Sequence, residues 1–594
     1  MKRGLCLLLT LALMTGLLSG CGRAIHNEAY VATGDAILMD GEESVVTEEA
    51  EDSQNLVLAY YPERSLNPLF GSDYTNRVLM SLMYQPLFAV DSKKNTTPIL
   101  CSKYKVSTNS RNWTIYLEDN ATFSDGSKVT ASDVVASYKQ AMENDYYKYR
   151  FYKHLLEVKE TEDGGILFQM DTAYQNLALL LDVPIVKASE VANLTEAPAG
   201  SGPYVFVESS GGAVLQRNPN WWCGDLKIPA RDNTINLTAV STTAEVRDAF
   251  QFNGDNSVSV VCTNPMSDSF AEYRCDYELW DCATGILLYL GCNRGGSSPF
   301  ANGTVRAALT HGVDRAALME VYRGFAQEAY LPASPEADCY DSALAASYGY
   351  DPAAFSGALG EAGLQNTTAT LLVCSDQPVR VTAAQTVADG LTACGLEVTV
   401  NALEGEKYQE ALQAGNFDFY LGEVRLSPNF DLSPFFQENG TLPYGGMSDP
   451  ELYALCLKAL ESSGNYPALH EAVMESGQLC PLLFRTYAVF ATRGTVSGLL
   501  PGLDSVFHTS NSRQLADARS EWEGPDLTTP PEETEAPTEE GQPEERETPT
   551  EEEWPEEPPE ETPTEEELPE EPPGETPAEE DLPEEPTEED TPGE

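Results

Sequence analysis

The sequence predicts an α/β protein of more than one domain, and three observations carry that. Strand-like and helix-like segments alternate along the body of the chain. The body is about 470 residues long, which exceeds a single core and divides into two or three domains. Residues 369–403 read "ATLLVCS", then "VTAAQTVADGLTACG", then "LEVTVNAL". That strand–helix–strand order is a βαβ unit, whose two strands are expected to be parallel neighbours.

The elements follow in order. "NLVLAYY" (55–61) is a short apolar run with strand character, and residues 76–87 have helical spacing. "NWTIYLED" (112–119) alternates with period two, as a half-buried strand does. In the next segment, "FSDGSKVTASDVVASYKQAMEN", Asp125-Gly126 makes a turn. Thr130 is then placed as N-cap with Asp133 at N3, a capping box in front of Val134, Val135 and Tyr138. Gly202-Pro203 turns the chain, and Arg306 and Asp314 are expected on one helix, where local ion pairs are the default.

The two ends have a different character. Lys2 and Arg3 precede an apolar run, Leu5–Leu18, which leads into Leu18-Ser19-Gly20-Cys21. This is the pattern of a lipoprotein signal: residues 1–20 are removed and Cys21 is lipidated. The run is shorter than the ~20 apolar residues of a membrane-spanning helix. The expectation is a chain anchored through Cys21 to the outer face of the cytoplasmic membrane, on the extracellular or periplasmic side. Residues 21–54 are polar and acidic and read as a flexible tether, while 523–594 form a Pro/Glu/Thr-rich acidic tail expected to be disordered.

Charge excludes one class of function. Residues 524–594 hold 31 acidic groups against one arginine, and the other 523 hold 64 acidic and 34 basic groups. Nucleic acid is not an expected partner, because phosphate binding needs clustered Lys and Arg. No H-E-x-x-H, G-x-S-x-G or Walker sequence occurs, so neither an enzyme, a metal nor a cofactor is expected. The histidines (His26, His154, His311, His470, His508) are scattered, without the short spacings of metal ligands. The cysteines read as buried free thiols, with a disulfide among Cys275, Cys282 and Cys292 as the alternative.

Several longer blocks carry a resemblance. "SLNPLFGSDYTNRVLMSLMYQPLF", "NWTIYLEDNATFSDGSKVTASDVVAS", "GSGPYVF" with "LQRNPNWW", "LLYLGCN" with "FANGTVRAALTHGVDRAALMEVYRG", and "YDPAAFSGALGEAGL" occur in that order. Together, across residues 55–510, they resemble the family 5 solute-binding proteins of oligopeptide, dipeptide and nickel ABC importers. The resemblance implies a two-lobed periplasmic-binding-protein-like fold, type II in its large three-subdomain variety, with a ligand cleft between the lobes. It implies lobe 1 over 55–285, completed by 486–522 and carrying an insert over roughly 88–175, and lobe 2 over 286–485. The chain would cross between lobes near 285–293 and again near 480–490. The implied function is capture of a peptide or peptide-like solute by a monomer and its delivery to an ABC permease. A lipoprotein that senses a signalling peptide is the alternative, with a surface adhesin or spacer and a hydrolase behind it.

The candidate site lies in "LGEVRLSPNFDLSPFF" (421–436). Glu423, Arg425 and Ser427 occupy alternate positions and so project from one strand face. By the resemblance, counting from Phe417-Asp418, the aspartate that receives a peptide ammonium falls on or near Ser427, so the ordinary carboxylate is missing or displaced. Glu423 is expected to take a cationic group, Arg425 an anion in bidentate fashion, and Ser427 a polar group. The other reading is that Glu423 and Arg425 pair with each other or face solvent. Tyr74 and Tyr444 are further candidates, with packing as their alternative.

Overall fold

The long strands Tyr277–Cys292 and Leu479–Thr492 run antiparallel to each other for most of their length and form the spine of the molecule. The structure is a computed structural model that describes residues 56–507, apart from 71–72, 145, 195–196, 224–232, 253, 255–256, 268–269, 271–272, 274–276, 297, 494, 497–498, 500 and 502–505. The expected signal, the lipidated Cys21, the tether, the acidic tail, Cys275, His26 and His508 therefore lie outside the described residues.

One sheet extends to both sides of the spine. On one side it adds Phe419–Arg425, Thr367–Cys374 and Leu396–Leu403; on the other it adds Val260–Thr263, Val57–Tyr60, Thr234–Ala239, Gly212–Arg217 and Tyr204–Ser209. These two sides are the sheets of two lobes. A separate four-stranded antiparallel sheet, ordered Cys101–Val106, Asn112–Leu117, Ile166–Met170 and Leu155–Glu160, sits with the first lobe and shares its apolar core.

Period-two alternation explains how one strand serves two faces. In Tyr277–Cys292, Leu287 and Tyr289 enter one core of the second lobe while Leu288 and Leu290 enter the core on its opposite face. In Val57–Tyr60, Leu58 and Tyr60 pack into one core of the first lobe and Val57 and Ala59 into another. The second spine strand feeds both lobes, with Phe484 in the second and Val489 and Phe490 in the first. Tyr289 faces Gly422 across the strands and Tyr420 faces Gly291; a Cβ on either glycine would come within 2.5 Å of the opposite ring. The glycines make room for the two tyrosines, whose rings meet edge to face at 5.7 Å.

The spine is irregular where it passes between lobes. Its pairing slips between Ala283 and Ile286, around Gly285 at φ 71°, a left-handed conformation suited to glycine. A second slip, between Leu288 and Tyr289, coincides with Pro481, which has no N–H for the ladder. The fully buried Arg315 secures this region: its guanidinium donates to the carbonyls of Ala329 (2.8 Å), Thr310 (3.1 Å) and Pro481 (2.6 Å) and to the Thr310 hydroxyl (2.9 Å).

Most expected elements are found. The first helix covers Tyr74–Met83 rather than 76–87, because Asp73 caps it through the Asn76 amide and the chain turns extended at Tyr84. The helix Ala131–Glu143 starts where expected, with the Asp133 carboxylate accepting the Thr130 amide at 2.8 Å. The βαβ strands Thr367–Cys374 and Leu396–Leu403 are parallel neighbours. Arg306 and Asp314 are not on one helix. The helix Gly303–Gly312 ends before Asp314, which caps the next one, Arg315–Val321. Arg306 instead donates to the carbonyls of Ser476 and Phe300, both at 2.8 Å. Cys292 is a buried free thiol, and Cys282 is likewise buried.

His470 is fully buried on the helix Tyr466–Ser476, and neither ring nitrogen has a hydrogen-bond partner among the described residues. Burial pushes its pKa down to about 4. The unfolded chain therefore binds a proton that the folded chain rejects, and folding stability is lost as pH falls from ~6.5 towards ~4. His470→Leu is expected to raise stability by about 1–2 kcal/mol at neutral pH, since an unsatisfied buried polar group is removed. The gain should grow at pH 5, as denaturant titration at the two pH values would register.

Candidate functional site

The strand Phe419–Arg425 is buried as far as Gly422 and opens to partial exposure at Glu423, Val424 and Arg425. It leaves the sheet beside the irregular part of the spine, with Glu423 opposite Leu288 and Arg425 opposite Ile286. The chain then turns through Ser427–Phe430, where the Phe430 amide donates to the Ser427 carbonyl at 2.8 Å. Phe430 adopts φ 55°, uncommon for a bulky residue, and is held there by burial against Phe484. This turn aims Asp431 back along the strand face.

A cavity of about 460 Å³ lies between the lobes at this point. The first lobe supplies Tyr74, Tyr146, Tyr149 and Arg150; the second supplies residues 423–427, Asp431, Pro434, Phe435, Thr441 and Leu442. Glu423, Arg425, Ser427 and Tyr74 thus line one cavity. Tyr444 does not: it lines a separate open cavity of about 620 Å³ with Asn293, Gly415 and Asp418.

The side chains have distinct surroundings. Glu423 is paired with two guanidinium groups: Arg485 Nη1 lies 2.8 Å from one carboxylate oxygen and Arg380 Nε 3.3 Å from the other. Arg485 also donates to Asn264 of the first lobe at 3.4 Å. The Arg425 guanidinium lies 4.3 Å from the centre of the Tyr146 ring, which also has Arg77 at 3.7 Å. Arg425 therefore reaches from the second lobe onto an aromatic ring of the first, a cation–π contact across the cleft. Tyr74 meets Tyr487 of the spine edge to face at 4.3 Å. Arg150 is tied to Asp182 at 3.3 Å, so its charge is matched within the first lobe.

Chemically, the cavity combines tyrosine, serine and threonine hydroxyls, the guanidinium groups of Arg150 and Arg425 and the carboxylates of Glu423 and Asp431 with an apolar wall of Val424, Leu426, Phe435 and Leu442. Polar groups that converge on one cavity beside aromatic and apolar surface suit a small-ligand site. On the first-lobe wall, sequence reasoning found Tyr74 and missed Tyr146, Tyr149 and Arg150. The signal was present in "DYYKYRFY" (145–152), where aromatic and basic residues crowd together after a helix. His154 and Asp171 adjoin this wall, and the remaining described histidine, His311, is bonded through Nδ1 to the Gly349 carbonyl at 2.7 Å.

Comparisons with known proteins agree with this architecture. Residues 95–442 match the family model described as bacterial extracellular solute-binding proteins, family 5 Middle. The chain is 25% identical over 399 residues to the oligopeptide-binding protein AppA of Bacillus subtilis (strain 168), covering 61% of this chain and 72% of that one. It is 23% identical over 503 residues to the glutathione-binding protein GsiB of Escherichia coli (strain K12), covering 78% and 94%. Among solved structures, the ABC transporter substrate binding protein CtaP of Listeria monocytogenes superposes with a TM-score of 0.62 at 16% identity, over 78% of this chain and 99% of that one.

Proposed function

Because the chain belongs to the bacterial extracellular solute-binding proteins of family 5, we propose that it captures a peptide or peptide-like solute between its lobes and hands it to an ABC permease. The observation that carries this reading is the cavity of about 460 Å³ walled by both lobes beside the spine. Such a site closes over its ligand by lobe movement and releases it by the reverse movement. The peptide class is supported by the names of the relatives, which bind oligopeptides and glutathione.

Within this reading, lobe 1 comprises 55–285 with 486–522 and an insert over roughly 88–175, and lobe 2 comprises 286–485. The contact residues are Arg425, Ser427 and Tyr74, with Tyr146 and Phe435 supplying apolar and aromatic surface. Glu423 acts through Arg485 and Arg380, holding the strand that presents Arg425 and Ser427. Tyr444 contributes only if a long solute extends beyond the cavity. The test is a thermal-shift panel of di- to nonapeptides, glutathione and free amino acids against the purified chain. For any solute that raises the melting temperature, Arg425→Ala and Ser427→Ala are each expected to weaken binding about 5–20-fold, the worth of one or two hydrogen bonds. Unchanged affinity in both variants would remove these residues from the site.

The chain works at the outer face of the cytoplasmic membrane, anchored through a lipid on Cys21. Support comes from the basic start, the apolar run and the small residues that precede that cysteine. Metabolic labelling with a clickable palmitate analogue is expected to mark the chain, and Cys21→Ser to abolish the label and release the protein from membranes. A labelled, membrane-bound Cys21→Ser chain would refute the anchor.

A further inference from the structure

His154 sits at the start of the strand Leu155–Glu160 in the insert sheet of the first lobe, with its side chain fully enclosed. Nδ1 lies 2.9 Å from the carboxylate of Asp171, which directly follows the strand Ile166–Met170 of the same sheet. Nε2 points across the lobe interface, 3.5 Å from the Asp431 carboxylate and 3.3 Å from the Ser433 hydroxyl. Asp431 is buried, lines the solute cavity, and accepts the Ser433 amide with its other oxygen at 2.9 Å. One imidazole thus joins two carboxylates that belong to different lobes.

A neutral imidazole has a single N–H. It can donate to one of the two carboxylates; with the proton on Nδ1 it bonds Asp171, and the Nε2 lone pair then faces Asp431 and can only accept from the Ser433 hydroxyl. An imidazolium donates to both, and it lowers the charge of the cluster from −2 to −1. The other titratable groups around the cluster are Tyr152 and Tyr174, whose rings lie 5.9 Å from the imidazole, and Tyr453, Tyr466 and Cys456 beside Asp431. Burial pushes all five upward, Tyr152 to about 12, so they stay neutral in the physiological range.

We propose that His154 is a proton-operated latch between the lobes: its imidazolium, held between Asp171 and Asp431, belongs to the closed form, so closing on a solute takes up a proton. When the lobes part, Asp431 and Ser433 leave with the second lobe, and His154 keeps only Asp171, which is 38% exposed to solvent. Although burial alone would lower it, the two aspartates hold the imidazole pKa at about 9 in the closed form. The open form returns towards the ordinary value of ~6.5. The latch is therefore fully engaged below ~6.5 and is lost as pH rises through ~9. By linkage, any solute that needs closure binds more tightly at the lower pH.

The inference rests on the two-lobed solute-binding reading, but its test needs no solute. The Gln175 amide donates to the Leu460 carbonyl across the lobe interface at 3.1 Å, and reports closure by hydrogen exchange. In the full chain, its protection, corrected for the intrinsic rate, is expected to fall about tenfold between pH 6.5 and 9. Asp431→Asn, which keeps the shape and removes the charge, should flatten that dependence, and His154→Phe should do the same. Protection that is independent of pH in the native chain, or a dependence that survives in Asp431→Asn, overturns the latch. Failure of every peptide in the panel to bind would instead count against the solute-binding reading and leave the latch standing.

Discussion

Glu423→Ala is expected to destabilise the fold by about 3–5 kcal/mol, the range for breaking one partner out of a buried ion pair. The carboxylate is 10% exposed and satisfies Arg485, itself 5% exposed, and Arg380 at 18%. Removing it takes the carboxylate partner away from both guanidinium groups. Glu423→Gln keeps the shape and an acceptor oxygen, so its effect should be roughly half as large, in the range of a charged hydrogen bond. Denaturant titration of both variants checks this order. The pairing also explains why Arg425 and Ser427 are better reporters of binding than Glu423: a weaker Glu423 variant would mix lost contacts with a loosened strand. A Glu423→Ala chain as stable as the native one would show that Arg485 and Arg380 find other partners.

Arg315→Met carries the second large effect. The guanidinium donates to the carbonyls of Ala329, Thr310 and Pro481 and to the Thr310 hydroxyl, and lies 4.4 Å from the Tyr330 ring. Methionine fills similar space but leaves those acceptors dry, for a loss of about 3 kcal/mol or more. Because Pro481 belongs to the spine and Arg315 opens a helix of the second lobe, the variant should also loosen the spine locally. Hydrogen exchange in residues 479–485 is expected to quicken more than in the four-stranded sheet. Equal changes in both would mean that Arg315 stabilises the fold only globally.

Much of the fold was legible in the sequence because local signals and tertiary structure agree. Thr130 with Asp133, the βαβ unit at 367–403 and the alternation in 112–117 are each fixed within a few residues of chain. The failures lie where distant packing decides. At the break between Arg306 and Asp314, Gly312 packs so closely that a Cβ would come within 2.7 Å of Leu391 and Phe355, residues far away in sequence. The site was half legible. Period two put Glu423, Arg425 and Ser427 on one face, and they line one cavity. Their partners were not: Arg380, Arg485 and Tyr146 lie 43 or more positions from Glu423, and nothing in local spacing brings them there. His154 looked like one scattered histidine until Asp431 arrived from the other lobe.

The most direct test of solute capture is the crystal structure of the chain with whichever solute the panel identifies. The solute is expected between the lobes, in contact with Tyr74 and Tyr146 on one side and Arg425 and Ser427 on the other. A solute bound anywhere else on the molecule would contradict the account.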